Sequence, residues 1–159
     1  MCISVYLGSE NPLPAADSFG IDESQLRIVE ATSSPDGVHT ILESKRIYYV
    51  CSHEGCGCSF NYLSVDSIRE SISTEDSDLL EYEITERARN CESLLALQKY
   101  LCQVLSSHDR VSMLVTWAGQ ESRPPMRLEH ISPAYFDGDS FSLPLYTRFE
   151  ITPEEAGSV

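Results

Sequence analysis

Four residues of metal-binding or nucleophilic type fall within eight positions: Cys51, His53, Cys56 and Cys58. They sit in the stretch Ile47-Tyr-Tyr-Val-Cys-Ser-His-Glu-Gly-Cys-Gly-Cys-Ser-Phe-Asn-Tyr62. Thiolates and imidazoles are the usual ligands of structural zinc, so the first chemistry this grouping suggests is zinc coordination. The spacing Cys51-x-His53-x-x-Cys56-x-Cys58 is not that of a zinc knuckle, whose ligands come as two separated pairs. The competing reading is a buried strand whose cysteines act as small hydrophobes.

Two further chemistries attach to the same residues. A disulfide between Cys56 and Cys58 would join Cα atoms about 6.6–7 Å apart in extended chain. That lies at the limit for the bond, so it would be strained and easily reduced. A cysteine nucleophile is the other option: Cys56 with His53 as its base, or Cys2 if Met1 were removed. His53 would then have to fold back across a tight turn, and Glu54 points elsewhere for an orienting role.

The elements around these residues decide between such options. Ile47–Ser52 is β-branched and aromatic and reads as a strand. His53-Glu54-Gly55 reads as a three-residue turn, with Gly55 at positive φ and His53 at an exposed tip. Cys56, Cys58, Phe60 and Tyr62 then alternate with Gly57, Ser59 and Asn61, which predicts a returning strand with both cysteines facing inward. That hairpin puts Cys51 on the face opposite Cys56 and Cys58. At most three of the four ligands can then meet at one ion, and a fourth must come from elsewhere. Gly57 inside a strand marks a close approach by a neighbour.

Along the rest of the chain, strands are predicted at Cys2–Leu7, Leu26–Ala31, Val111–Trp117, Met126–Ile131 and Leu143–Ile151. Ser33-Ser-Pro-Asp-Gly37 is a turn signature. Val38–Glu43 fits a short strand or a helical turn, and Val65, Ile68 and Ile72 fit one side of a short helix. The strongest helical pattern runs from about 86 to 107, with Thr85 as N-cap. Its Cys91, Leu94, Leu97, Leu101, Val104 and Leu105 recur at helical spacing, which predicts packing on a sheet. The expected fold is a single α+β domain over 1–152, with a mainly antiparallel sheet of about six strands and one long helix. Residues 153–159 read as an acidic flexible tail.

Charge narrows the partners. The chain of 159 residues carries a formal charge of −14, which opposes binding to nucleic acid or to anionic membrane. Residues 66–86 hold eight carboxylates. Asp66, Glu70, Glu75, Asp76, Asp78, Glu81 and Glu83 form the expected interaction surface. Asp76-Ser-Asp78 lacks the glycine-centred loop that calcium sites use. There is no apolar run of the length a membrane span needs and no signal-peptide pattern, so the expected location is cytoplasmic, with reduced thiols. The leading expectation is a non-enzymatic protein that binds a basic protein partner, with the general charge character of immunity proteins that neutralise nucleases. The alternative is a zinc-binding or thiol-dependent protein with its site at Cys51, His53, Cys56 and Cys58.

Overall fold

The computed structural model describes residues 1–33 and 37–155. Six strands form one sheet: β1 (Ile3–Ser9), β2 (Leu26–Glu30), β3 (Arg46–Ser52), β4 (Val111–Trp117), β5 (Arg127–Ile131) and β6 (Thr147–Ile151). Their order across the sheet is β2-β3-β1-β4-β6-β5. Every pairing is antiparallel except β5 with β6, which run parallel at one edge. Three helices complete the α+β fold: α1 (Val38–Leu42), α2 (Val65–Ser71) and α3 (Ser77–Val104). None is long and apolar enough to cross a membrane.

The two faces of the sheet follow from strand alternation. Ile3, Val5 and Leu7 of β1 point to one side and join Val50, Met113, Val115 and Phe149. Helix α3 covers that side with Leu94, Leu97, Tyr100, Leu101 and Val104. Tyr6, Ile47 and Leu114 point the other way and pack with Val38 and Leu42 of α1. The central strands β1 and β4 are buried on both faces, which is why their sequences read as nearly continuous apolar runs. The buried face of α3 is the one its spacing predicts.

Three expectations need correction. Helix α3 begins at Ser77, not near 86, with Asp76 as N-cap accepting from the Leu79 amide. Its early turns bury no residue, and the first buried position is Ser93. With no apolar stripe there, periodicity could not reveal them. The last strand covers only Thr147–Ile151, because Leu143 and Leu145 belong to the incoming loop. The turn expected at 33–37 lies mostly outside the described residues, as does the end of the tail.

The third correction concerns the hairpin. The turn itself forms: Ser52 N–H donates to the Cys56 carbonyl at 3.0 Å, and Gly55 takes φ 82. No returning strand follows. Cys58–Phe60 is instead one turn of 3₁₀ helix. Two contacts leave such a strand no room to run: β1 holds the second edge of β3 up to Tyr49, and Gly57 N–H is bound to the Ile3 carbonyl. Strand β2 pairs along Tyr48–Ser52, and β1 pairs along Arg46–Tyr49. Residues 56–60 therefore fold over the start of β1, where Phe60 enters the main core.

Candidate metal centres around the β3 turn

The sulphur atoms of Cys2, Cys56 and Cys58 lie within 4.8 Å of one another. Cys2 is brought there by the sheet. Its carbonyl accepts from the Ala118 amide at 2.8 Å, and the next residue, Ile3, starts the β1–β4 ladder opposite Trp117. Cys56 and Cys58 are brought there by the turn, which is fastened to the same residue. Gly57 N–H donates to the Ile3 carbonyl at 2.9 Å, and Ile3 N–H donates to Cys58 Sγ at 3.2 Å. Cys58 N–H in turn donates to Cys56 Sγ at 3.4 Å.

Gly57 makes this contact possible. A Cβ built there would stand 2.6 Å from Val5 Cγ2 and 3.1 Å from the Ile3 carbonyl oxygen. Any side chain would push the two sulphurs away from the β1 end. Cys2 is exposed, while Cys56 and Cys58 are half-buried. Burial pushes the Cys56 thiol up to about 11, and the amide of Cys58 opposes that rise. No cysteine is in a disulfide.

Of the four residues grouped in the sequence, only Cys56 and Cys58 share this cluster. Cys51 stands apart, buried, with its sulphur 4.0 Å from Arg27 Nη2. Burial raises its thiol, and Arg27 partly offsets this. His53 belongs to a second group, with Glu54 and Glu86. Its side chain is not an exposed tip: it is 4% exposed. Burial comes from the middle of α3, where Glu86 and Ser93 lie against the imidazole.

The surroundings of His53 are specific. Ser93 Oγ donates to the Gln25 carbonyl at 2.8 Å. The same oxygen accepts from the His53 amide at 3.2 Å and lies 3.0 Å from His53 Nδ1. A hydroxyl has one proton and two lone pairs, and Ser93 has spent its proton on Gln25. Nδ1 is therefore the protonated nitrogen, and Nε2 carries a bare lone pair in the neutral ring. Nε2 is buried with no hydrogen-bond partner among the described residues and lies 3.9 Å from Glu86 Oε2. The other Glu86 oxygen is held by Arg89 Nη1 at 2.9 Å.

This Ser93–His53–Glu86 series is not a nucleophilic triad. Ser93 is fully buried, and its proton points at a carbonyl. Nor does His53 serve Cys56, since its two nitrogens face Ser93 and Glu86. No family model, curated protein or solved structure matches the chain.

The acidic stretch lies on α2 and the free start of α3. Asp66, Glu70, Glu75, Asp76, Asp78 and Glu81 are exposed, and Glu83 is half-buried. None of these seven makes an ion pair among the described residues. Leu79 and Tyr82 stand among them, 44% and 60% exposed.

Sequence reading missed Cys2 as a companion of Cys56 and Cys58, considered Glu54 only as an orienting group and set it aside, and missed Glu86 and Ser93 as neighbours of His53. Cys2 had one usable signal, since it immediately precedes a strand with central character. Glu86 and Ser93 had none, because they reach His53 only through the docking of α3.

Proposed function

We propose that this protein binds zinc through the thiolates of Cys2, Cys56 and Cys58. The single observation that carries the reading is their convergence: three sulphurs within 4.8 Å, one of them, Cys2, distant in sequence from the other two. Packing alone gives no reason for an exposed cysteine to join two others. Two backbone N–H groups aimed at sulphur, Ile3 to Cys58 Sγ and Cys58 to Cys56 Sγ, also support it, since outer hydrogen bonds orient metal ligands. Soft thiolates select zinc or copper(I) over magnesium and calcium. Three protein ligands leave one tetrahedral position to solvent on the Cys2 side, the pattern of an exchangeable site. Because three thiols must lose protons, binding releases protons and weakens as pH falls. Such thiols need a reducing compartment, in keeping with a cytoplasmic location. The test is a cobalt titration read by thiolate charge-transfer absorption, with a Cys2→Ser variant as control.

A second reading concerns the acidic face of α2 and early α3, which would dock a basic protein partner. The observation favouring it is that Leu79 and Tyr82 stay exposed among unpaired carboxylates. Aromatic and aliphatic side chains can anchor an interface while the surrounding charge steers association. The same charge disfavours nucleic acid as the partner. The test is the salt dependence of the association rate.

A further inference from the structure

We propose that His53, Glu54 and Glu86 form a second cation site, built for a divalent transition metal with nitrogen and oxygen ligands and separate from the thiolate cluster. Two observations carry it independently of the cysteines. The first is that one imidazole nitrogen and two carboxylates offer ligand atoms within 4.8 Å of one another. The second is the orphaned Nε2. Its side chain is 96% buried by the 4% exposure, its lone pair is fixed by the Ser93 network, and it faces a carboxylate oxygen.

Left alone, that arrangement is unfavourable. A buried lone pair opposite a carboxylate oxygen has nothing to accept from, and a buried polar atom without a partner costs stability. At 3.9 Å the two atoms are too far apart to share a hydrogen bond. A cation between them would bind both. Zinc bonds of about 2.0–2.2 Å in tetrahedral geometry set two ligand atoms about 3.4 Å apart, so the 3.9 Å gap needs to close by only roughly half an ångström for one ion to hold both. Glu54, exposed at the turn, closes over the ion from the solvent side.

The supporting shell has the form that metal sites use. Ligating histidines give their other N–H to an acceptor, which here is Ser93 Oγ. Ligating carboxylates are themselves held, and here Arg89 holds Glu86 Oε1. That leaves Oε2 free for the ion. Imidazole with carboxylates suits zinc, manganese or cobalt, whereas the three thiolates suit softer ions. The two sites therefore differ in chemistry although they share one turn.

The experiment uses the full chain with Cys2→Ala and Cys56→Ser, which leaves a single thiolate ligand and so removes the first site. Manganese(II) is added, and line broadening is followed at the backbone amides. Broadening centred on residues 53, 54 and 86, together with a shift of the His53 ring nitrogens on adding zinc, is the expected result. Glu86→Gln should weaken binding by about tenfold or more, and Ser93→Ala by about 10–100-fold as a positioning change. Glu86 is only partly buried, so its variant tests binding even if Ser93→Ala proves unstable. Broadening spread over Asp78 and Glu81 instead, no broadening at all, or unchanged affinity in Glu86→Gln would overturn the proposal. None of these results bears on the thiolate site, which the double variant lacks.

Discussion

Gly57 donates its backbone N–H to the Ile3 carbonyl at 2.9 Å, and its missing side chain is what lets the two backbones meet. That contact fastens the turn after β3 to the start of β1. It sets Cys56 and Cys58 beside Cys2.

Gly57→Val should therefore be strongly destabilising. The added Cβ alone would stand 2.6 Å from Val5 Cγ2, inside the main core. Overpacking of this kind costs about 1–3 kcal/mol. A denaturant titration should show the loss as a lower midpoint. An unchanged midpoint would mean that the turn is not seated on β1.

Leu101→Ala tests the packing of α3. Leu101 is fully buried between helix and sheet. Truncating such a leucine costs about 2–5 kcal/mol. A loss below about 0.5 kcal/mol in the same titration, far under that range, would mean the helix face is wrongly assigned.

Alkaline titration tests the tyrosines. Burial raises Tyr62 from the ordinary value to about 12, and Tyr6 and Tyr100 are raised for the same reason. A group whose folded value is raised adds stability that is complete below its unfolded value. That stability is lost as pH rises through the folded value. From Tyr62 the loss runs from about pH 10 to about 12. Absorbance at the tyrosinate band should rise in two stages, with these three ionising late or only on unfolding. Tyr62→Phe should flatten the fall in stability over that window. A single early transition for all tyrosines would contradict the buried arrangement.

How much of this was legible in the sequence depended on whether the signal was local. Leu94, Leu97 and Leu101 announce a helix face because burial repeats with the helical period. The runs in β1 and β4 announce central strands for the same kind of reason. Cys56, Cys58 and Phe60 misled, since three alternating residues are too few to tell a strand from a loop that closes in one 3₁₀ turn, and burial there does not alternate. What decides between the two is the meeting of Gly57 with Ile3 at the start of β1, a contact made only once the sheet is assembled. The grouping of Cys51 with its neighbours failed in a similar way: closeness in sequence did not become closeness in space. Glu86 and Ser93 are polar residues on a long helix, unmarked until α3 is laid over the turn.

The acidic face makes its own prediction. Association with a basic protein should slow as salt rises, because exposed charges are screened over about 10 Å at 0.1 M. Asp78→Lys with Glu81→Lys should lower the association rate more than it raises the dissociation rate. Binding indifferent to both changes would remove this face from consideration.

The central claim is tested most directly by titrating metal-free protein with cobalt(II) and recording sulphur-to-cobalt charge-transfer absorption. Wild type should develop the band at one equivalent per chain. Cys2→Ser, a change at an exposed position, should abolish it without lowering the denaturant midpoint, and Cys51→Ser should leave it intact. A band that survives in Cys2→Ser, disappears in Cys51→Ser, or never forms in wild type would contradict a site made of Cys2, Cys56 and Cys58.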